Sequence, residues 1–337
     1  GTVVIGRSNE FGIDANSQIV FEPAGKDFIS KTPDGRPGKS WKARYAFLGI
    51  NGLELVECFG EGMNEAGLSV EGLFFEESKY EAVDQKDTSN AVSSNDFVSW
   101  VLGNFGTIDE LKRELPNVRV WGESVARLGG PLPLHFAAHD PSGKSIVIEF
   151  INGEKKVYDN PIGVMTNMPE FPWHITNLRN YLNLNAFIPK AKDFNGVSIQ
   201  ATGTGSGWLG IPGDWSPPSR FVRIACLVNT CSPAKDGKEA LNLAKHILNT
   251  VDIALKSVEA SIKGKTGSEA VVQEYTQWSV LLDLTNRVMY YYSYNDMNLK
   301  AIDLQKMAAS KPQNAKVIPI SGEFSATSVT DKLVVLK

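Results

Sequence analysis

An arginine and a glutamate near the start of the chain, Arg7 and Glu10, have the residue types and spacing that could do chemistry. They follow an apolar run, residues 2–5, which is typical of a buried strand. A cation and an anion at a strand end can be held in fixed positions beside a reacting group. The same pair could also be a surface ion pair, which stabilises a protein little.

Two more polar residues belong to this set, Asn167 in the segment 164–169 and Arg220 in the segment 210–223. Each has an ordinary interpretation when it is considered alone. Asn167 could be a turn residue before Pro169, and Arg220 could be an early charge in a helix that begins at two prolines. The residues by themselves leave both interpretations open.

Other patterns suggest chemistry less strongly. His135 and His139 are four residues apart, but they lie on a predicted strand without a matching glutamate, so we expect core or edge histidines rather than zinc ligands. The glycine-rich segment 203–207 lacks the Lys-Ser/Thr of a phosphate-binding loop. No G-x-S-x-G elbow is present, which argues against Ser-His-Asp catalysis. We expect neither a metal nor a cofactor.

Composition restricts the partners. The formal net charge of −4 comes without a block of like charges, which argues against nucleic acid. The longest apolar runs fall far short of the roughly 20 residues of a membrane helix, so we expect no membrane partner. Cys58, Cys226 and Cys231 form no metal-type cluster and are interpreted as reduced core thiols. The compartment stays open, cytoplasmic or periplasmic in a bacterium.

The elements follow the order strands, helices, strands, helices, strands. Few of them alternate as single strand–helix units, which favours two antiparallel sheets between helix layers over a doubly wound sheet. The specific predictions are a hairpin turning at Asn51-Gly52, a polar turn at 61–68, helices at 94–100, 107–115, 173–184 and 238–249, a hairpin turning at 140–143, an irregular stretch at 185–218, and strands at 275–283 and 287–294.

Several segments together resemble the choloylglycine hydrolase family, which contains bile salt hydrolases and penicillin V acylases. They are the Gly-Arg-Ser-x-acid-aromatic opening, the turn at 61–68, Thr166-Asn167, residues 176–181, the block 211–223 and the strands at 276–279 and 283–285. The resemblance spans essentially the whole chain. It implies an α+β fold, a four-layer αββα sandwich of the N-terminal nucleophile hydrolase type, formed by residues 1–337 as one domain.

The resemblance also implies hydrolysis of linear amide C–N bonds by an N-terminal cysteine. In relatives this cysteine lies about fifteen residues before the arginine, on the partner strand of a hairpin, where its own α-amino group can act as base. We therefore expect the nucleophile upstream of Gly1, and the first strand of the domain to be missing from this sequence. None of the three cysteines present matches the nucleophile position.

Roles for the candidate residues come from the same resemblance. Arg7 matches the cation beside the thiolate, and Glu10 matches an aspartate that holds the α-amino group. Asn167 matches a side-chain donor to the oxyanion, and Arg220 matches a second arginine near the thiol. Phe74 stands where relatives carry Asn or Tyr, and it would donate its backbone N–H to the oxyanion.

The substrate is an amide with a hydrophobic acyl group, if Phe11, Phe74 and Phe75 line an aromatic pocket. Bile salts, penicillin V and long-chain acyl amides such as acyl-homoserine lactones all remain candidates. The segment 185–218 matches the family's assembly loop, which implies a homotetramer. The alternative from another class is a non-catalytic relative that binds an acyl ligand in the same pocket.

Overall fold

The computed structural model describes residues 1–263 and 269–333. Within these residues the helices are α1 (Phe97–Asn104), α2 (Ile108–Glu114), α3 (Phe171–Asn177), α4 (Pro217–Thr230), α5 (Gly237–Asn249) and α6 (Leu304–Ala309). The strands are β1 (Val4–Phe11), β2 (Gln18–Glu22), β3 (Asp27–Lys31), β4 (Pro37–Lys42), β5 (Phe47–Gly52), β6 (Leu55–Asn64), β7 (Ser69–Phe74), β8 (Ala91–Ser93), β9 (Arg119–Trp121), β10 (Ser124–Val125), β11 (Gly130–Pro131), β12 (Leu134–His139), β13 (Ser145–Ile151), β14 (Glu154–Asp159), β15 (Lys192–Phe194), β16 (Val197–Ile199), β17 (Val258–Lys263), β18 (Glu269–Asp283), β19 (Val288–Ser293), β20 (Lys300–Asp303) and β21 (Lys316–Pro319).

Two large sheets pack face to face. The first has the order β14-β13-β12-β7-β6-β5-β2-β21, and the second has the order β1-β18-β19-β20, with β17 also paired to β18. Leu48 and Met63 of the first sheet share an apolar cluster with Val280 and Leu282 of the second. Each fully buried side chain of this size contributes about 1.5–3 kcal/mol, so this cluster holds the two sheets together.

Helices cover the outer faces of both sheets. Trp100 of α1 and Leu111 of α2 share a buried cluster with Phe136 of the first sheet. On the other side, Leu248 of α5 packs on Leu281, which alternates with the inward side chains of β18. The layers are thus helix, sheet, sheet, helix, and the predicted α+β four-layer αββα sandwich is confirmed.

Two predicted turns lie elsewhere. The hairpin between β5 and β6 turns at Leu53 and Glu54, with φ values of 56° and 65°, rather than at Asn51-Gly52. Asn51 and Gly52 instead pair with β6, and Leu53 N donates to Ala15 O at 2.7 Å. The tertiary contact therefore overrides the turn preference of Asn-Gly. Likewise β6 continues through residues 61–64, so only residues 65–68 form the next turn.

The helix predictions were correct in position and less so in extent. The predicted capping box forms, because Thr107 Oγ1 accepts from Glu110 N at 3.2 Å. The helix predicted at 94–100 starts at Phe97 and continues past Gly103, where a Cβ would lie 3.2 Å from Trp41 Nε1. That glycine permits close packing in the last turn of the helix.

Helices in the second half follow the same pattern. The one predicted at 173–184 is α3 followed by a 3₁₀ turn at Leu178–Tyr181, and the one predicted at 238–249 is α5. Helix α4 begins at the two prolines before Arg220, which agrees with the ordinary interpretation of that residue as an early helix charge. Its two leading prolines occupy the first helical turn, where a missing N–H is tolerated.

The remaining hairpins were predicted correctly. Asp140 Oδ1 accepts from Ser142 N at 2.9 Å, and Gly143 has a φ of 86°, which closes the turn between β12 and β13. The final strands, β18 and β19, pair antiparallel as expected. Strand β1 extends further than the predicted residues 2–5, so Arg7 and Glu10 lie within the strand and not beyond its end.

Candidate active site

Arg7 is the most firmly held of the candidate residues. Its Nη1 atom lies 2.7 Å from Glu61 Oε2 and donates to Asn9 Oδ1 at 3.2 Å. Its Nη2 atom donates to Gly72 O at 3.1 Å, and the guanidinium carbon lies 5.0 Å from the centre of the Trp278 ring. These contacts fix the guanidinium cation between the two large sheets.

Glu10 leaves β1 on the opposite face. An odd spacing along a strand directs side chains to opposite sides, and the contacts agree. Arg7 points toward β6 and β7, whereas Glu10 Oε1 accepts from Thr276 Oγ1 at 2.9 Å and Glu10 Oε2 lies 3.7 Å from Arg220 Nη1. A bulge at this point shifts the register from Asn9 with Trp278 to Glu10 with Thr276. The two charges therefore do not form a pair with each other.

Asn167, Arg220 and Phe74 form one hydrogen-bonded chain. Arg220 Nη2 donates to Asn167 Oδ1 at 2.6 Å, and Asn167 Nδ2 donates to Phe74 O at 2.8 Å. Arg220 is held in turn by a bond from its Nε to Trp215 O at 3.0 Å. The side-chain amide of Asn167 thus has a fixed orientation, with its second N–H hydrogen left outside these two bonds.

Two buried histidines hold the loop that carries Asn167. His174 Nε2 donates to Asn167 O at 3.0 Å, and His135 Nε2 donates to Thr166 O at 2.7 Å. The other ring nitrogen of His135 lies 3.1 Å from Glu149 Oε1. His135 therefore acts on the backbone next to the site, as a core histidine does.

The backbone N–H of Phe74 is not used in the hydrogen bonds between β7 and β12. Phe75 N donates to Pro133 O at 2.9 Å, and bonded pairs alternate along an antiparallel ladder. Phe74, opposite Leu134, is therefore at a non-bonded position, and its N–H points away from β12.

A cavity of about 1680 Å³ joins these groups, and Arg7, Glu10, Asn167 and Arg220 all line it. Phe11 and Phe74 line it as well, and Phe74 is 43% exposed. Phe75 does not belong to this set. It is completely buried and stacks on His135 with ring centres 4.6 Å apart, because neighbouring residues of an extended chain face opposite sides.

Several further polar residues line the cavity, and three that were not predicted to do so are both titratable and buried: Glu61, Glu71 and His139. Burial raises the carboxyl pKa of Glu61 to about 7 and that of Glu71 to about 8, and it lowers the imidazole pKa of His139 to about 4. The sequence held no local signal for Glu71, because a glutamate that alternates with apolar residues along a strand is expected to face solvent. Glu61 was missed because it was assigned to a turn.

The prediction of three core thiols was wrong for Cys231, which is exposed, whereas Cys58 and Cys226 are partly buried. Burial raises the thiol pKa of Cys58 to about 12, which disfavours the reactive thiolate. Among the described residues, no group of three or more His, Cys, Asp or Glu side chains could hold a metal ion. In the same part of the chain, no helix has both the length and the apolar character needed to cross a membrane.

Known proteins match this chain along most of its length. The family model described as linear amide C–N hydrolases, choloylglycine hydrolase family, matches residues 1–315. A bile salt hydrolase/transferase of Clostridium perfringens is 32% identical over 311 residues, which cover 91% of this chain and 90% of the relative. A penicillin V acylase of Pectobacterium atrosepticum is 27% identical over 210 residues, 60% of this chain and 50% of that protein.

Solved structures agree in fold. A variant of conjugated bile acid hydrolase from Clostridium perfringens superimposes with a TM-score of 0.82 at 28% identity, covering 98% of this chain and 97% of the other. The sequence match, the αββα layers and the charged groups around one apolar cavity point to the same class of enzyme. The chain belongs to the choloylglycine hydrolase family, whose members are amidases that hydrolyse linear C–N amide bonds.

Proposed function

We propose that this protein cleaves the amide bond of a substrate with a bulky apolar acyl group, with conjugated bile salts as the first candidates. The observation that carries the proposal is the convergence of Arg7, Glu10, Asn167 and Arg220 on one cavity. Its volume of about 1680 Å³, with Phe11 and Phe74 in its wall, suits a large hydrophobic group. The bile salt hydrolase named above supports the choice of substrate class.

The nucleophile in this proposal is the thiolate of a cysteine that precedes Gly1, with its free α-amino group as base. Strand β1 lies at one end of its sheet, so one of its edges pairs with no strand among the described residues. An upstream strand that turned back along this edge would bring the cysteine beside Arg7. The guanidinium would then stabilise the thiolate, and Glu10 would hold the α-ammonium group.

Acyl transfer proceeds in two steps. The thiolate attacks the amide carbon, and the carbonyl oxygen becomes an oxyanion that accepts from Asn167 Nδ2 and the backbone N–H of Phe74. One such donor is worth about 3 kcal/mol in the transition state. The amine leaves with a proton from the α-ammonium group, and water then hydrolyses the thioester. Arg220 keeps Asn167 in its donating orientation through the bond to Oδ1.

The test is hydrolysis by the full-length protein of taurocholate, glycocholate, penicillin V and an acyl-homoserine lactone, followed as released amine. We expect release from the bile salts, and we expect Arg7→Ala to lower kcat/KM about a hundredfold or more. Arg36→Ala is the matched control, because Arg36 pairs with Asp34 on the surface. Release of amine from penicillin V or the lactone alone would show that bile salts are not the substrate class. Binding of an amide without any release of amine would support the non-catalytic alternative.

We also propose that the protein assembles as a homotetramer through the segment 185–218. Large apolar side chains are exposed in this segment, both in the hairpin of β15 and β16 and on either side of it. Phe187, Phe194 and Leu209 are 81%, 60% and 87% exposed. Exposed apolar surface of this kind marks interaction sites, and long loops in compact domains are often functional.

A further inference from the structure

Two glutamates face each other beneath Arg7. Glu61 of β6 and Glu71 of β7 are direct partners across the antiparallel ladder, so their side chains leave the sheet on the same face. Their side chains are 1% and 3% exposed. Two carboxylates in this arrangement repel each other strongly, because water is largely excluded between the sheets.

The surrounding groups do not balance two negative charges. Arg7 from β1 lies 2.7 Å from Glu61 Oε2, and it is the one cation among the described residues that an ion pair joins to either glutamate. His139 from β12 lies 3.5 Å from Glu71 Oε2, but burial lowers its pKa to about 4, so it is neutral near pH 7. The hydroxyl of Ser69, on β7, is the other polar group facing Glu71. Asp140 acts on His139 and Lys144.

We propose that Glu61 and Glu71 share one proton, with Glu61 as the carboxylate that positions Arg7 and Glu71 as the neutral acid behind it. Burial raises the pKa of both carboxyls, more for Glu71 (about 8) than for Glu61 (about 7). The carboxyl that ionises first is thus the one that touches Arg7. Both glutamates are positioning residues, since they act through Arg7.

The catalytic consequence rests on the function proposed above. When Glu71 ionises, a second negative charge lies near Arg7 and weakens its field toward the thiolate. We therefore expect kcat/KM to fall on the alkaline side of neutrality in the unmodified enzyme. In Glu71→Gln this limb should disappear, whereas Glu61→Gln should lower kcat about a hundredfold at all pH values by releasing the guanidinium.

A spectroscopic test does not depend on the substrate. Infrared difference spectra between about pH 6 and pH 10, with ¹³C-labelled glutamate, report a buried carboxylic C=O stretch that disappears on ionisation. We expect this band in the unmodified full-length protein and its loss in Glu71→Gln. Glu81→Gln is the matched control, because the buried Glu81 pairs with both Arg119 and Lys155. That variant should keep the band.

Stability gives a second measurement. A carboxyl whose pKa is raised on folding binds more protons in the native than in the unfolded state, so the free energy of unfolding falls as pH rises from about 4.5 to about 8. Glu71→Gln should flatten this fall. The proposal is overturned if the unmodified protein shows no carboxylic band, or if the band and the slope are unchanged in Glu71→Gln. Amide hydrolysis could fail in the substrate panel while both of these readouts still held.

Discussion

At the scale of single residues, the amide of Asn167 joins three parts of the chain. Its oxygen accepts from Arg220 of α4, its nitrogen donates to Phe74 O at the end of β7, and its backbone carbonyl accepts from His174 of α3. A donor that is fixed before the reaction costs no reorganisation when charge develops. The geometry therefore supports the proposed role of Asn167 as an oxyanion donor, which its position before a proline could not reveal.

We expect Asn167→Asp to lower kcat/KM about 10²- to 10³-fold, mainly through kcat, because the oxyanion donor is lost. The aspartate still accepts from Arg220, so the loop should keep its place. Steady-state kinetics on the best amide substrate is the measurement. Asn180→Asp is the control, since Asn180 is exposed and bonds only to Asn177 in the same turn. Full turnover in Asn167→Asp would remove Asn167 from the mechanism.

At the scale of elements, the turn between β5 and β6 determines how this hairpin borders the cavity. Leu53 lines the cavity from the left-handed turn position, and Leu55 and Phe59 continue the wall along β6. Left-handed backbone costs an ordinary residue about 1 kcal/mol relative to glycine. The hairpin thus carries strain at two successive positions.

Replacing Glu54, which has a φ of 65°, by glycine should raise the free energy of unfolding by about 0.5–1 kcal/mol. The matched change is Glu57→Gly in the irregular part of β6, which should lower it, because glycine adds backbone freedom to the unfolded chain and the contact with Lys26 is lost. Urea unfolding of both variants gives the comparison. A loss of stability in Glu54→Gly would show that its side chain matters more than its backbone strain.

At the scale of the whole molecule, the proposed tetramer predicts a native mass four times that of the chain. In light scattering coupled to gel filtration, Leu209→Lys and Phe194→Glu should reduce this mass, because a buried charge at an apolar contact is costly. Val56→Lys is the control, since Val56 is exposed on β6, outside the assembly segment. A monomeric unmodified protein, or tetrameric variants, would contradict the assembly proposal.

Much of the fold could be predicted because its signals are local. Hydrophobic alternation, the Thr107–Glu110 capping box and the Asp140 turn each depend on residues within a few positions of each other. Errors occurred where a distant contact decided the local structure. Ala15 binds Leu53 N and moves the hairpin turn, and Trp41 packs against Gly103 inside α1.

The sequence by itself determined the layer order, the family resemblance and four charged or polar residues, Arg7, Glu10, Asn167 and Arg220. Only the tertiary structure decided that Arg7 and Glu10 face opposite sides of β1, that Phe75 lies outside the cavity, and that two acids lie beneath Arg7. The reason is register. The pairing of β6 with β7 sets Glu61 beside Glu71, and the packing of one sheet on the other brings Arg7, more than fifty positions away, against Glu61. No local pattern encodes that second contact.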